Sequence, residues 1–97
     1  MTEEKPYLIC CGHHGRAVLI GYSTTEPMAG QPITMSRVRM VLWWDSECGG
    51  LLGLAADGPK GKTRITPAVE RHGDERVRQW VAVSTTAMRR VEAWPSC

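Results

Sequence analysis

The sequence has no phenylalanine, no long apolar run and no strong excess of charge of either sign. A membrane-spanning helix needs about 20 consecutive apolar residues, and no run in this chain approaches that length. The first eight residues, MTEEKPYL, are polar and acidic and lack the apolar centre of a secretory signal peptide. We therefore expect a cytoplasmic protein. Disulfides are rare in that compartment, so the four cysteines are interpreted as reduced thiols: Cys10, Cys11, Cys48 and Cys97.

The remaining composition is that of a folded domain. Hydrophobic residues make up 42% of the 97 positions and charged residues 23%, which argues against intrinsic disorder. Four tryptophans and two tyrosines supply bulk that phenylalanine would otherwise give to a core. A chain of this length has room for one modest core. We therefore predict a single domain over residues 1–97, with a flexible N-terminal tail at 1–5.

Charge is unevenly distributed along the chain. The net charge of +2 is too small to indicate nucleic-acid binding by itself. Residues 60–97, however, carry eight lysines and arginines against four acidic residues, whereas residues 1–59 carry four against six. The basic C-terminal part would suit phosphates or an acidic partner, but the solvated face of a small sheet would carry the same charges.

The first half of the chain begins with a predicted hairpin. Residues 6–11 and 16–23 are short apolar runs joined by GHHG. Glycines at both ends of a short connection between two such runs are typical of a β-hairpin. Residues 24–32 are rich in threonine, proline and glycine and predict a loop.

Residues 33–44 alternate in polarity with the period of a strand. The alternation predicts an apolar face and an opposite face that carries two arginines: Val38, Met40 and Leu42 on the first, and Arg37, Arg39 and Val41 on the second. Trp43 and Trp44 end the run, so one ring should lie on each side of the sheet.

The second half of the chain predicts two helices and two strands. Apolar residues at helical spacing predict helices over 50–59 and 84–95, the first ended by Gly and Pro and the second begun by a Ser or Thr cap. Between them lie a basic loop that becomes a possible strand over 60–69, a charged turn over 70–75 and an alternating strand over 76–84. Gly53 weakens the first helix. Together the elements predict a small β-rich α+β domain, either a curled antiparallel sheet or a partly open barrel of about five strands, with two short helices.

Four stretches stand in an order that resembles a family of small uncharacterised proteins found mainly in bacteriophages and prophages: HGRAVLIGY, SRVRMVLWW, GLLGLAADGP and VRQWVAVSTTAMRRVEAW. The resemblance extends from about Tyr7 to Trp94. The double cysteine, the double histidine and the glycine-rich helix depart from that family's pattern. The family has no assigned activity, so no catalytic residue transfers. The resemblance implies phage or prophage origin, an accessory role and, for a phage-encoded protein, the host cytoplasm.

The stretch CCGHHG at 10–15 is where metal or thiol chemistry would be concentrated. Adjacent Cys10 and Cys11 point to opposite faces of a strand, so both cannot bind one metal ion. The remaining candidate ligands are Cys11, His13 and His14, with Cys48 or His72 to complete a set. Their spacing matches no structural zinc motif. We therefore interpret the stretch as a hairpin turn and expect no metal and no cofactor.

No grouping of side chains predicts catalysis. A cysteine nucleophile needs an aligned histidine base held by a third group, and nearness along a tight turn does not supply that alignment. The segment GPKGKT at 58–63 ends like a phosphate-binding loop. Its first glycine is misplaced, however, and RITP blocks the helix that should follow. We therefore expect a protein that is not an enzyme.

The most suggestive predicted surface combines arginines with tryptophans. Single-stranded nucleic acid is held by cations that pair with phosphates and by aromatic rings that stack on bases. The candidate face comprises Arg37, Arg39, Trp44, Arg64, Arg76, Arg78 and Trp80. On the alternative interpretation, the tryptophans are core residues and the arginines only face solvent.

Three classes of function remain open. Size, the lack of a catalytic grouping and the family resemblance favour an accessory protein that acts by protein–protein interaction, for example an anti-defence protein that occupies a host partner. The first alternative is a nucleic-acid or nucleotide binder that uses the basic half, and the second is a metal or thiol site at 10–14. An exposed tryptophan and a free sheet edge would also permit self-association.

Overall fold

The computed structural model of this chain describes residues 3–12 and 17–96. Its elements follow in the order β1 (Lys5–Cys11), β2 (Ala17–Ser23), β3 (Pro32–Trp43), α1 (Gly50–Asp57), β4 (Arg64–Ile65), β5 (Val69–Ala82) and α2 (Thr85–Ala93). A 3-10 turn at Ser46–Cys48 leads into α1. No helix within the described ranges is long and apolar enough to cross a membrane.

The five strands form one antiparallel sheet with the order β2-β1-β5-β3-β4. β2 also pairs with β3, so β1, β2, β3 and β5 are joined in a closed circuit of pairings. β5 serves two neighbours because its first half pairs with β3 and its second half with β1. The sheet is ring-like in part but is not a barrel, which confirms the predicted α+β domain with a curled antiparallel sheet.

β1 and β2 form the predicted hairpin. The register pairs Lys5 with Ser23 at one end and continues without a break through the strands. β1 therefore includes the last residue that the sequence assigned to a flexible tail. The predicted turn residues His13 and His14 lie outside the described part of the chain.

The core consists of two clusters on the two faces of the sheet. Alternate residues of β1 show the division. Leu8 and Cys10 belong to the cluster covered by α1 and α2, whereas Ile9 and Cys11 belong to a cluster formed only by strand residues. Because β1 is buried on both faces, its sequence is a continuous apolar run and not an alternating one.

β5 passes without a break through residues 70–75, where the sequence predicts a charged turn. That prediction is wrong, because pairing with β3 places His72 opposite Met35. Gly73 permits the close approach of the two strands, since a Cβ there would lie 3.0 Å from Thr34 Oγ1. Long-range pairing thus overrides the local turn signal. The strand predicted over 76–84 is confirmed as the second half of β5.

Both predicted helices are present and cover the same face of the sheet. α1 ends at Asp57, because Gly58 adopts a φ of 88° and Pro59 follows. α2 begins after Ser84, whose hydroxyl accepts a hydrogen bond of 3.0 Å from the Ala87 N–H. The apolar stripe predicted for α2 is buried against the sheet at Ala87, Met88 and Val91.

Candidate functional site

The seven residues of the predicted basic and aromatic face do not share one environment. Arg37, Arg64, Arg76 and Arg78 are exposed, Trp44 and Trp80 are half-buried, and Arg39 is buried. Trp80 packs edge-on against Tyr7, with 5.7 Å between the ring centroids, and joins the strand cluster. Trp44 packs against the other cluster, under the helices. The two tryptophans therefore serve different faces of the sheet.

An extra residue in β3 separates Arg37 from Arg39. β2 pairs Ile20 with Arg39 and Tyr22 with Ser36, so β3 has one residue more than β2 in this interval. Arg37 lies in the resulting bulge with a φ of 50°, in the left-handed region that residues other than glycine rarely adopt. The two arginines line the same cleft beside α2 but differ in burial, since Arg37 is exposed whereas Arg39 is only 6% exposed.

The buried Arg39 side chain anchors the end of α2. Its Nε donates to the Thr66 carbonyl at 2.8 Å, its Nη1 donates to the Val91 carbonyl, and its Nη2 donates to Ser96 Oγ at 3.3 Å. Val91 lies in the last turn of α2, where a cation also interacts favourably with the helix dipole. Arg39 therefore contributes to the fold and not to a nucleic-acid-binding face.

The exposed Arg37 belongs to a polar network that joins the N-terminal segment to α2. Its guanidinium carbon lies 3.9 Å from the centroid of the Tyr22 ring, and one of its nitrogens lies 3.8 Å from Glu4. The Tyr22 hydroxyl donates to the Glu92 carboxylate, and Ser36 Oγ donates to Glu4. The bulge thus places the Arg37 guanidinium over an aromatic ring and beside a carboxylate.

This network makes the Tyr22 hydroxyl a weaker acid than an ordinary tyrosine. Burial of the hydroxyl, together with its hydrogen bond to Glu92, raises the pKa of Tyr22 from 10.0 to about 12. The folded state holds this proton more tightly than the unfolded state. Its contribution to stability is therefore complete below pH 10 and is lost as the pH rises towards 12.

We expect the tyrosinate absorbance that Tyr22→Phe removes to titrate with a midpoint at about pH 12. Glu92→Gln should move that midpoint down, because it removes the neighbouring negative charge while keeping a hydrogen-bond acceptor. A wild-type midpoint at the ordinary value would show that the Tyr22–Glu92 pair does not form.

The three described cysteines are buried in two different clusters. Cys11 belongs to the strand cluster, whereas Cys10 and Cys48 belong to the cluster under the helices. The expectation that Cys10 and Cys11 point to opposite faces is therefore confirmed. Burial raises the pKa of the Cys10 thiol, which disfavours the thiolate that nucleophilic chemistry needs. Among residues 3–12 and 17–96, no three His, Cys, Asp or Glu side chains are grouped to hold a metal ion.

The loop after α1, which contains GPKGKT, packs against Asp45, and the Asp45 carboxylate accepts hydrogen bonds from both sides of α1. The Lys62 N–H donates to Asp45 Oδ2 and the Glu47 N–H to Asp45 Oδ1, each at 3.1 Å. These two hydrogen bonds lower the pKa of Asp45. Gly61, with a φ of 61°, allows the approach, since a Cβ there would lie 2.5 Å from Asp45 Oδ2. The segment that resembles a phosphate loop thus binds a carboxylate of the same chain.

Four large apolar side chains are exposed on or beside β3, and we call them the β3 apolar surface. Met40, Leu42, Trp43 and Val69 are 38%, 52%, 49% and 54% exposed. Met40 and Val69, together with the buried Leu19, line a groove of about 410 Å³. Exposed apolar side chains around a groove are typical of an interaction site.

The alternation predicted an apolar face with Val38, Met40 and Leu42, but it did not identify that face as an exposed surface. Val38 and Met40 do line one groove, but Val38 is buried whereas Met40 and Leu42 are exposed, so the core covers only part of that face. One signal could have found the surface. The segment MVLWW, at 40–44, is apolar at five successive positions. Because successive side chains point to opposite faces of a strand, a single buried face cannot cover all five.

The family described as Domain of unknown function (DUF6948) matches residues 4–94. No curated protein and no solved structure matches the chain. The matched residues include all five strands and both helices, so the unit that the family defines is the whole fold described above. The expected relationship to an uncharacterised family is confirmed. The chain belongs to this family of domains of unknown function.

Proposed function

We propose that the protein is a non-enzymatic protein-binding module whose binding site is the β3 apolar surface. In this proposal the module is an accessory protein of a bacteriophage or prophage in the host cytoplasm, and an anti-defence protein is one form of that role. The observation that carries the proposal is the exposure of Met40, Leu42, Trp43 and Val69, of which Met40 and Val69 line one groove.

The chemistry of this surface suits a protein partner. Tryptophan and methionine are enriched at protein interfaces, where they supply large contact areas without carrying charge. Tryptophan is among the residues enriched in binding hot spots. Trp43 is 49% exposed and follows the exposed Leu42 on β3. Covering these side chains would remove apolar area from water, which favours binding.

The nucleic-acid alternative has less support in the fold. Arg39 is committed to the carbonyl groups of Thr66 and Val91, and Trp80 packs on Tyr7.

Photo-crosslinking from the β3 apolar surface tests the proposal. A benzoylphenylalanine introduced at Trp43 should form a specific protein adduct in cells that carry the gene. The same probe at Met28, which is 65% exposed in the loop before β3 and does not line the groove, is the matched control and should form none. Leu42→Glu, a change at an exposed position with little expected effect on folding, should reduce the Trp43 adduct at least about tenfold.

The mass of the adduct separates the remaining interpretations. An adduct of twice the chain mass identifies a second copy as the partner. A monomeric mass by light scattering of the free protein at micromolar concentration would exclude that self-association. Equal labelling from positions 43 and 28, or an adduct with nucleic acid in place of protein, would contradict the proposed function.

A further inference from the structure

A cleft of about 440 Å³ lies between the first turn of α1 and the second half of β5. Its floor is apolar, with Leu8 1% and Cys10 4% exposed, and the half-buried Leu51 and Trp80 also line it. The volume falls in the range of ligand clefts. No residue lines both this cleft and the groove of the β3 apolar surface, so the two sites are separate.

One wall of the cleft is a free strand edge. β1 and β3 lie on opposite edges of β5, and β3 pairs only with the first half of that strand. Among the described residues, no strand therefore covers 78–82 on the edge away from β1. The Val83 N–H donates to the Pro6 carbonyl at 3.1 Å, which by alternation turns the backbone groups of Trp80 and Ala82 away from β1. Such an edge can pair with an added strand.

The opposite wall is the positive end of α1. Among residues 3–12 and 17–96, no side chain caps this helix, because Gly49 is its N-cap residue. The first N–H to bond within the helix is that of Gly53, which donates to the Gly49 carbonyl at 3.3 Å. Gly50 has a φ of 74°, and a Cβ there would meet nothing within 4 Å. Gly50 and Leu51 both line the cleft, so the first turn of α1 borders its open space, an arrangement that favours a carboxylate.

The base of the cleft holds a separate sign of a ligand. Cys10 is 4% exposed and its thiol faces the cleft, and within the described residues no hydrogen bond involves it. Buried polar groups are normally paired within a protein. Here the thiol lies among Leu8 and Val81, which leaves an apolar depression with a weak donor for an incoming side chain.

We propose that this cleft binds the C-terminal end of a partner polypeptide whose last residue is apolar. The terminal carboxylate accepts hydrogen bonds from the first-turn N–H groups at Gly50 and Leu51. The last side chain lies on the floor formed by Leu8 and Cys10, and the preceding residues pair with the free edge at Trp80. This inference goes beyond the β3 apolar surface and does not depend on it.

The test uses the whole chain and two pools of hexapeptides that end in Leu, Val, Ile or Phe. One pool has free C-terminal carboxylates, and the other has the same sequences as C-terminal amides. We expect the acid pool to bind at least about tenfold more tightly, because a charge-assisted hydrogen bond at the terminus is lost in the amide. Backbone amide shifts in the NMR spectrum should concentrate at Gly50, Leu51, Trp80 and Ala82.

A matched pair of variants at Gln79 adds a test that cannot be explained by misfolding. Gln79 is exposed and lines the cleft, so Gln79→Lys and Gln79→Glu should both fold. The lysine variant should bind the acid pool about threefold to fivefold more tightly than wild type, and the glutamate variant should bind it more weakly by a similar factor.

Equal affinity for the acid and amide pools, or equal affinity of the two Gln79 variants, would overturn the proposal. So would the absence of any shift with either pool at millimolar concentration. Shifts confined to Met40 and Val69 would also overturn it, but they would support the proposed function of the β3 apolar surface. If the Trp43 adduct were absent but peptides still bound in this cleft, the cleft proposal would stand and the proposed function of the β3 apolar surface would be contradicted.

Discussion

Replacing Arg39 by methionine should lower the free energy of unfolding by about 3 kcal/mol. For a domain of this size, that loss lowers the midpoint of thermal unfolding by about 12–24 °C. The reason is that the Thr66 and Val91 carbonyls lose their donor but stay in the folded protein, where water cannot replace it fully. The end of α2 also loses the cation that interacts with its dipole. Chemical denaturation followed by circular dichroism measures the change.

Arg78→Met is the matched control, because it removes the same charge from an exposed position on β5. Its free energy of unfolding should lie within about 0.5 kcal/mol of the wild type. Arg39→Lys should fall between the two, since an ammonium group keeps the charge but cannot reach three acceptors in the geometry of a guanidinium. If Arg39→Met were as stable as Arg78→Met, Arg39 would not be the anchor of α2.

Gly53→Ala should destabilise the protein by about 3 kcal/mol. In an ordinary helix the same change stabilises by about 0.5–1 kcal/mol, because alanine loses less conformational freedom on folding. Here a Cβ on Gly53 would overlap the backbone carbonyl of Cys48, which cannot rotate away as a side chain can. The 3-10 turn before α1 would have to move, and with it the buried Cys48 that accepts from the Lys60 N–H at 3.3 Å.

Leu52→Ala is the control for this prediction, since it lies in the same helix and is 72% exposed. Its effect on the free energy of unfolding should stay within about 0.5 kcal/mol. A Gly53→Ala variant more stable than the wild type would mean that helix propensity outweighs the contact with Cys48. The structure would then be wrong in the packing of α1 on its preceding turn.

The sequence correctly predicted the elements that are fixed by residues close together in the chain. The stop of α1 follows from glycine and proline after Asp57, and the start of α2 from the hydroxyl of Ser84. The hairpin of β1 and β2 follows from two apolar runs close together in the chain. In each case the interacting groups are within a few residues of each other, so their spacing is visible in the sequence.

β5 shows where such signals fail. The segment ERHGDE has the charge and the glycine of a turn, yet it is a continuous strand that pairs with β3. Its partners lie more than 30 positions earlier in the chain, and no local pattern reveals that pairing. The side-chain preference for a turn is small compared with the hydrogen bonds and contacts that the sheet supplies.

The candidate sites were less predictable than the fold. The sequence singled out Trp80 for a nucleic-acid-binding face and Cys10 for metal or thiol chemistry. In the structure both residues line the cleft. It also paired Arg37 with Arg39 on one face, and only the bulge showed that one is exposed and the other buried. A bulge arises when strands of unequal residue count pair, so it depends on both partners and not on either sequence alone.

By itself, the sequence determined the composition of the fold: an apolar hairpin buried on both faces, a capped C-terminal helix with one buried stripe, and cysteines on opposite sides of β1. These follow from periodicities of two and of 3.6 residues, which any chain displays locally. The tertiary structure alone decided the closure of the pairing circuit through β5, the burial of Arg39 under α2, and the exposure of Met40, Leu42 and Trp43. Each of these depends on contacts between residues far apart in the chain, and the free energy of such contacts is realised only when the whole sheet has formed.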